Sequence, residues 1–212
     1  MKESISERNG INFLSKTDHL IYSVGISTGG QAEMRMAQKD SKRHIVATTI
    51  DQEGAEFAKK RMVEIGLSGQ IEVKIEDVSQ PLPYSNGYFD FIYARLILHY
   101  LPIDKLNFSL SELYRILRKR GKMFIVVRSV ECPEAKDITA KYDPSTRLTT
   151  YSSGSHEYSR YFHSQESITK HLSSAGFTIR HVAAYQEQLC VDFQRTKPSG
   201  QIDHLIEVIA EK

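Results

Sequence analysis

The feature that most constrains this chain is residues 20–37, where a short apolar run meets a glycine-rich turn and then a helical pattern. The run Leu20–Val24 has the length of a strand, the turn spans residues 25–30, and the helix is expected to begin at Gln31. A strand, a glycine turn and a helix in this order open a nucleotide-binding βαβ unit. Glycine permits a sharp turn with positive φ, and the first N–H groups of the helix point towards a bound molecule. We therefore place the ligand at this turn.

The turn by itself is compatible with four interpretations. It resembles a dinucleotide-binding fingerprint, except that Ser27 stands in place of its second glycine. The residues from Gly25 to Gly29 match the nucleophile elbow of α/β-hydrolases. The turn also suits the cofactor loop of an S-adenosylmethionine (SAM) methyltransferase, or a tight turn that binds nothing. Other parts of the chain must decide among these interpretations.

Composition narrows the class of protein. At 212 residues the chain is expected to form a single domain over residues 1–212. A formal net charge of +2 gives no argument for a nucleic acid or an anionic membrane as partner. The polar start MKESISERNG lacks the apolar segment of a secretory signal, and the longest apolar stretch is too short to span a bilayer. With two cysteines and no Cys/His cluster of zinc spacing, we expect a cytoplasmic protein without bound metal.

Strand and helix patterns alternate along the first two thirds of the chain. After Leu20–Val24 the predicted strands are residues 45–50, 71–75, 89–93 and 123–127, and the predicted helices between them include residues 54–66 and 104–117. Gly121 is expected to end the second of these helices. Such alternation predicts an α/β protein with a doubly wound, mostly parallel sheet, whose ligand lies beyond the carboxyl ends of the strands.

The last third of the chain changes character. Residues 128–162 are polar and rich in Ser, Thr and Tyr, and are too long for an ordinary connection, so we predict a lid or substrate-binding insertion there. Ser164 is predicted to cap a helix over residues 164–175, with Ser167 as its partner three residues on. Two final strands are predicted at residues 178–184 and 205–210.

Two aspartates stand at the ends of predicted parallel strands. Asp51 follows the second strand and Asp77 follows the third, so a parallel sheet brings both to the edge that carries the glycine turn. One carboxylate can accept two hydrogen bonds from a ribose diol, and another can accept one from an adenine amino group. An acid at the end of a strand can equally cap the helix that follows, and for Asp51 both interpretations remain open.

The middle of the chain resembles the small class I SAM-dependent methyltransferases. The segments that carry the resemblance are PLPYSNGYFDFIYARLILHYL and SELYRILRKRGKMFIVV. The family pattern has an Asp, then Leu-Pro-Phe, then Phe-Asp before an apolar strand, then Leu-His-His-Leu, and a glycine after the next helix. The matching positions here are Asp77, Leu82-Pro83-Tyr84, Phe89-Asp90, Leu98-His99-Tyr100-Leu101 and Gly121. Further on, RYFHSQESITKHLSSAGFTI resembles the segment that leads into the family's terminal strand hairpin, so the resemblance covers about residues 18–184.

The resemblance implies a seven-stranded Rossmann-like sheet with an antiparallel C-terminal strand. It implies SAM as cofactor, with S-adenosylhomocysteine as product. The glycine turn would face the methionine part, Asp51 the ribose hydroxyls and Asp77 the adenine, while Ala94 and Arg95 would border the sulfonium. The implied cofactor-binding residues are Gly25, Ile26, Ser27, Gly29, Asp51, Gln52, Asp77, Val78, Ala94 and Arg95.

Two positions depart from the family pattern. The family has an acidic residue two positions before the first glycine, where this chain has Ser23, and a glycine where it has Ser27. The acid would help to hold the cationic amino group of the cofactor, and Ser27 adds a side chain where the loop approaches the ligand. The alternative to an enzyme is therefore a non-catalytic binding or interaction protein of the same fold, with weakened or lost SAM binding.

The rival enzyme classes fit the chain less well. The hydrolase elbow requires several strands before it, but only about twenty residues precede Gly25. A nicotinamide dehydrogenase would use Gly25 and Asp51 but gives no reason for Asp77 or for the segments after it. The basic residues between 115 and 122 suit the phosphates of RNA, or simply complement the dipole of a helix C-terminus.

The predicted function is methyl transfer from SAM to a small-molecule acceptor. His99 is the candidate general base, because it follows the fourth strand and histidine titrates in the useful range. The alternative interpretation is that His99 has a purely structural role. Tyr161 and His163, next to the predicted lid, are tentative residues of the acceptor pocket. The sequence does not indicate the oligomeric state.

Overall fold

The computed structural model describes residues 4–26, 29–153, 156–190 and 197–212. Five helices are present in these ranges: α1 Ile5–Asn12, α2 Gln31–Lys39, α3 Gln52–Glu64, α4 Ile103–Ile116 and α5 Gln165–Ser174. The main sheet is built from β1 Leu20–Val24, β2 His44–Thr49, β3 Ile71–Ile75, β4 Phe89–Arg95, β5 Leu117–Arg128, β9 Thr178–Glu187 and β10 Asp203–Glu211. A smaller sheet contains β6 Lys141–Tyr142, β7 Thr149–Ser153 and β8 His156–Arg160. None of the helices in the described ranges has the length and apolar character needed to cross a membrane.

The main sheet has the strand order β3-β2-β1-β4-β5-β10-β9. Strands β1 to β5 pair in parallel, whereas β10 runs antiparallel to both β5 and β9. This confirms the predicted seven-stranded sheet with a reversed C-terminal strand. The order of strands reverses between β1 and β4, and in open α/β sheets a ligand crevice forms at the carboxyl ends of the strands at such a point.

Two hydrophobic cores lie on the two faces of the sheet. Neighbouring residues of β1 alternate between them: Ile21 packs into one core and Tyr22 into the other, and both are fully buried. One core receives α4 and α5, for example through Leu110 and Ile168. The other receives α1, α2 and α3. Both faces of the sheet are covered, so its central strands read as continuous apolar runs.

The boundary between α4 and β5 differs from the prediction. The helix ends at Ile116 and the strand begins at Leu117, so Gly121 does not end the helix. Leu117 continues the helical spacing of apolar residues, but it is extended, fully buried and paired with Phe89 of β4. Its burial at the edge of the parallel pair therefore outweighs the helical pattern. The basic residues from 118 to 122 belong to β5 rather than to a helix terminus, which leaves Arg115 as the basic residue of the last turn.

Residues 128–162, the insertion, contain the small sheet and a 3₁₀ turn at Pro133–Lys136. Backbone hydrogen bonds join the insertion to the segment that follows β4: Tyr161 N–H donates to the His99 carbonyl (2.7 Å) and Ile103 N–H to the Thr146 carbonyl (3.0 Å). The segment after the insertion confirms the predicted helix cap. The Ser164 and Ser167 hydroxyls each accept the other residue's backbone N–H, at 3.0 and 3.1 Å.

Ion pairs also join the insertion to the main sheet. Arg160 of β8 pairs with Glu134, and Glu134 lies 3.6 Å from Arg128 of β5. Arg128 in turn pairs with the buried Asp203 at the start of β10. Removing one residue of this buried set would leave another charge uncompensated, so these ion pairs stabilise the position of the insertion against the main sheet.

Candidate functional site

The glycine turn and both predicted aspartates lie at the same edge of the sheet. Parallel pairing places Thr49 of β2 opposite Ile75 of β3, so Asp51 and Asp77 each stand two residues beyond the same register pair. Ile26 N–H, just after the turn's first glycine, donates to the Thr48 carbonyl at 2.7 Å. The structure therefore brings together residues that are far apart in the sequence, as parallel packing requires.

The first glycine of the turn occupies a position that only glycine fits. Gly25 has φ of +79°, and a Cβ there would approach the Ile97 side chain to 2.7 Å. At the start of α2, Gly30 has φ of +53°, and a Cβ would lie 2.7 Å from the Met62 methyl group. Ile26 and Gly29 are buried beside the turn, and Ser27 lies outside the described residues. The conformation needed for close approach of a ligand is thus present where the sequence predicts it.

Asp51 occupies the N-cap position of α3 but does not cap the helix with its side chain. The carboxylate is exposed and makes no hydrogen bond with any described residue. The neighbouring Gln52 is also exposed, and its side-chain amide donates a hydrogen bond to Glu56 at 3.4 Å. The helix-cap interpretation of Asp51 therefore finds no support in the structure, and its acceptor oxygens face solvent at the carboxyl edge of the sheet.

Asp77 is exposed and forms a local turn. Its Oδ1 accepts the Ser79 N–H and its Oδ2 accepts the Ser79 hydroxyl, both at 2.9 Å. Each carboxylate oxygen can accept more than one hydrogen bond, so capacity for a ligand remains. Val78, between them in sequence, is buried and belongs to the hydrophobic core. Asp77 therefore has a structural role that does not exclude a binding role.

The end of β3 and the following loop are held by tyrosine and arginine side chains. Glu76 accepts hydrogen bonds from the hydroxyls of Tyr22 (3.0 Å) and Tyr84 (2.6 Å). Arg115 donates to the carbonyls of Leu82 (2.9 Å) and Tyr84 (2.6 Å) and pairs with Glu112 at 2.7 Å. These bonds explain Leu82-Pro83-Tyr84 as an anchored loop beside the site. They also give Arg115 a role that involves no nucleic acid.

Asp90, the acid of the Phe89-Asp90 pair, also has a structural role. Its carboxylate accepts the backbone N–H groups of His19 (2.7 Å) and Leu20 (2.8 Å), where β1 begins. Arg118 lies 3.0 Å from its other oxygen. Asp90 therefore aligns β1 with β4, the two strands between which the order of the sheet reverses.

A small cavity of about 190 Å³ lies between the glycine turn and the end of β4. Its lining includes Gly25, Glu7, Glu33, Arg95 and Leu96. The Arg95 guanidinium is held from α1, because Nε donates to the Ser6 hydroxyl (2.7 Å) and an Nη to the Ser4 hydroxyl (2.8 Å). Arg95 thus lies in the predicted region. Its neighbour Ala94 is fully buried in the core and is not part of this lining.

Sequence reasoning missed the two acids of this cavity. Glu33 accepts a hydrogen bond of 2.5 Å from the Ser23 hydroxyl and is only 4% exposed. Glu7 is fully buried and lies 2.6 Å from Arg35. The only sequence signal for Glu33 is an acid in the first turn of a helix, which is common because it complements the helix dipole.

His99 lies in a 3₁₀ turn after β4 and is 1% exposed. Neither ring nitrogen has a hydrogen-bond partner among the described residues. Burial lowers the pKa of His99 well below its ordinary value, and the positive charges of Arg128 and Arg160 act in the same direction. The imidazole is therefore neutral and able to accept a proton, but its low pKa makes it a weak base. Its catalytic role stays a prediction.

Tyr161 and His163 lie side by side but in different surroundings. Tyr161 lines a cavity of about 440 Å³ between the insertion and α5, and its hydroxyl lies 3.1 Å from His171 Nε2. His163 is fully buried and is not among the residues that line this cavity. Its backbone bonds to Arg128 and Val130, and burial lowers its pKa to about 3. His163 is therefore packed in the interior, whereas Tyr161 lines the cavity, and a contact of either residue with an acceptor stays a prediction.

The architecture defines the class of protein. Five parallel strands followed by an antiparallel pair, with a glycine turn after β1 and acids after β2 and β3, form the class I methyltransferase fold. Residues 23–125 match the family model described as a methyltransferase domain. None of the curated protein sequences compared with this chain matches it.

Solved structures agree with this assignment. A SAM-dependent methyltransferase from Methanosarcina mazei aligns over 95% of each chain, with TM-score 0.73 and 19% identity. A putative methyltransferase from Bacillus halodurans aligns over 97% of this chain and 98% of its own, with TM-score 0.70 and 18% identity. Geranyl diphosphate methyltransferase in complex with SAM covers 97% of this chain and 83% of its own, with TM-score 0.67 and 13% identity. The methyltransferase family model and the fold of these solved structures are consistent with the class I SAM-dependent methyltransferase family that the sequence pattern predicts.

Proposed function

We propose that this protein binds SAM along the carboxyl ends of β1 to β4 and transfers its methyl group to a small-molecule acceptor. The observation that carries the proposal is Asp51. Its carboxylate is exposed, makes no hydrogen bond with the described residues, and stands one strand away from the Gly25 turn without capping its helix. An unpaired acid at this edge suits a ribose diol, which needs two acceptor oxygens.

The chemistry of the other residues fits the same cofactor. The Gly25 turn gives backbone access beside the sulfonium end, and Asp77 keeps acceptor capacity for an adenine amino group. SAM itself would supply a sulfonium-bound methyl group that is already activated for transfer. The task of the chain is then to bind the cofactor, to hold an acceptor in line with that methyl group and to exclude water.

The acceptor site is proposed under the insertion. The cavity of about 440 Å³ lined by Tyr161 falls within the usual volume range of small-molecule sites, roughly 300–1,000 Å³. Arg147, Tyr142 and Ser164 add polar groups to its lining. The backbone bond between Tyr161 and His99 connects this wall to the turn after β4. A structural neighbour, geranyl diphosphate methyltransferase, is known in complex with GPP, which supports a small-molecule acceptor. His99 is the proposed base, and a cytoplasmic location remains a prediction.

Isothermal titration with SAM and with S-adenosylhomocysteine tests the proposal. We expect both to bind with dissociation constants in the micromolar range, roughly −8 kcal/mol, as befits a working cofactor site. Absence of binding by both compounds at millimolar concentration would refute the proposal and favour a non-catalytic protein of the same fold. Once binding is established, release of S-adenosylhomocysteine in the presence of small-molecule acceptors measures the transfer itself.

A further inference from the structure

The cavity under the insertion contains an arginine that forms no ion pair with any described residue. Arg147 is exposed and lines the space of about 440 Å³. Its guanidinium makes one hydrogen bond within the described part of the chain, from an Nη to the Tyr142 hydroxyl at 3.5 Å. A guanidinium has five N–H donors, so most of those of Arg147 remain for a ligand or for water.

Two acids occur close to Arg147 in the chain or in the cavity lining, and both are used by their own turns. Asp143 accepts hydrogen bonds from the N–H and the hydroxyl of Ser145, at 2.9 and 2.7 Å. Asp137, in the lining, accepts from the hydroxyl and the N–H of Thr139, at 2.7 and 2.8 Å. These bonds lower the pKa of each carboxyl group. The negative charges of the insertion are therefore engaged locally, away from the guanidinium.

The backbone at Arg147 has a conformation that arginine rarely adopts. Its φ is +63°, in the left-handed region that favours glycine. The Arg147 N–H donates to the Asp143 carbonyl at 2.8 Å, and the Asp143 N–H donates to the Leu148 carbonyl at 2.9 Å, which closes a tight turn between β6 and β7. Strained positions of this kind cluster at ligand clamps and active sites. The turn thus holds an arginine in the cavity wall at a position that glycine would fit better.

The other lining residues fit an organic ligand with one negative group. The Tyr142 hydroxyl, beside Arg147, has a proton of its own to donate. An anionic oxygen can accept from this hydroxyl and from the guanidinium together, and such charge-assisted bonds are stronger than neutral ones. The apolar part of the lining is formed by Val130, Ala135, Ala140 and Phe162. A neutral ligand would satisfy the apolar wall but would leave the guanidinium charge without a counterpart.

We propose that the methyl acceptor carries a carboxylate or phosphate group, that Arg147 and the Tyr142 hydroxyl bind this group, and that the apolar wall holds the rest of the molecule. This inference rests on the proposed function, because it names the chemical class of the acceptor at the site proposed there. The role of Arg147 is to select the acceptor by its charge.

Titration with three small aromatic probes tests the inference. Benzoate and phenyl phosphate carry the two anionic groups on a phenyl ring, whereas benzamide carries the same ring without a charge. In NMR titrations in a buffer without phosphate, at least one anion should bind about tenfold more tightly than benzamide, and it should shift the Arg147 Nε–H signal. The anion that binds more tightly identifies the group as a carboxylate or a phosphate.

Variants of Arg147 assign the anion preference to this side chain. Arg147→Gly removes the guanidinium and suits the φ of +63°, so the turn should still form. It should lower the affinity for the preferred anion by about tenfold and leave benzamide within about twofold of the wild type. Arg147→Gln should show the same loss. Lys141→Gln, at an exposed cation of β6 outside the lining, is the control and should keep the wild-type affinity for all three probes.

The outcomes separate this inference from the proposed function. Equal affinity of the wild type for the anions and benzamide would overturn the inference, as would no binding of any probe or an anion preference retained in Arg147→Gly. S-adenosylhomocysteine is titrated into the same samples. If it binds while the anions show no preference, only the class of acceptor is wrong. If it does not bind to the wild type, the proposed function fails, and the acceptor with it, whatever the probes show.

Discussion

Alanine variants of Asp51 and Asp77 can distinguish what each carboxylate contributes to cofactor binding from what it contributes to the stability of the fold. Asp51→Ala removes a carboxylate that makes no hydrogen bond with the described residues, so the free energy of unfolding should change by less than about 0.5 kcal/mol. Asp77→Ala removes the two acceptors of the Ser79 N–H and hydroxyl, at 2.9 Å each. Because Asp77 is exposed and water can replace part of these bonds, we expect a destabilisation of about 1 kcal/mol.

The two variants should rank in the opposite order for cofactor affinity, where Asp51→Ala should cause the larger loss. A ribose diol gives Asp51 two charge-assisted hydrogen bonds, worth about 2–3 kcal/mol together at an exposed site, which corresponds to a loss of roughly 30- to 150-fold in affinity. A single bond from the adenine amino group to Asp77 corresponds to about tenfold. Asp104→Ala, an exposed acid in the first turn of α4, is the matched control and should leave affinity unchanged.

Urea unfolding and isothermal titration with S-adenosylhomocysteine give both quantities for each variant. The reasoning fails if Asp51→Ala costs more than about 1.5 kcal/mol of stability, because Asp51 would then act as a helix cap. It also fails if Asp51→Ala leaves affinity within about twofold of the wild type, since the carboxylate would then lie outside the cofactor site.

Two further predictions concern the frame of the site. Gly25→Ala should destabilise the protein by about 2–4 kcal/mol, because alanine is strained at φ of +79° and its Cβ meets Ile97 at 2.7 Å. Gly66→Ala, with φ of +72° and no atom within 4 Å of the added Cβ, should cost only about 1 kcal/mol in the same urea unfolding assay; equal costs would contradict the steric argument. Stability should also fall as the pH drops from about 6.5 towards 3, by up to about 5 kcal/mol, because buried His163 has a pKa of about 3 and stays neutral while the unfolded chain takes up a proton. The free energy of unfolding, measured across that pH range, should depend less steeply on pH in His163→Asn than in the wild type. The control variant His44→Asn, at a more exposed histidine, should keep the wild-type slope. An unchanged slope in His163→Asn would contradict the role given to His163.

Local sequence patterns predicted a helix or strand correctly where the burial of its residues follows the regular spacing of that one element. Strands β1 and β3 have the predicted bounds Leu20–Val24 and Ile71–Ile75, and the Ser164 cap begins α5 as predicted. The three strands of the insertion escaped prediction because their pairing involves polar groups, such as the Thr150 and Ser159 hydroxyls 2.8 Å apart. Such strands show no alternation of apolar and polar residues for a sequence pattern to detect.

The residues of the candidate site also divide into those that the sequence could place and those that it could not. Gly25, Asp51 and Asp77 could be placed from the sequence because each lies within two residues of the end of a strand in one parallel sheet, whose carboxyl ends meet at a common edge. The pairing of Ser23 with Glu33 could not, since a strand end and a helix ten residues later meet only after the turn between them has folded.

The sequence alone was enough to predict the order of the strands in the main sheet, the reversed final strand through the family resemblance, and the edge of the sheet at which a ligand is expected. Packing between the elements established that the Asp51 side chain leaves its helix uncapped, that His163 is fully buried, and that an acid from α2 reaches the end of β1. The physical reason is the range of the forces involved. Periodicity records what each element buries along its own length, whereas side-chain hydrogen bonds and ion pairs depend on distances between elements that only packing sets.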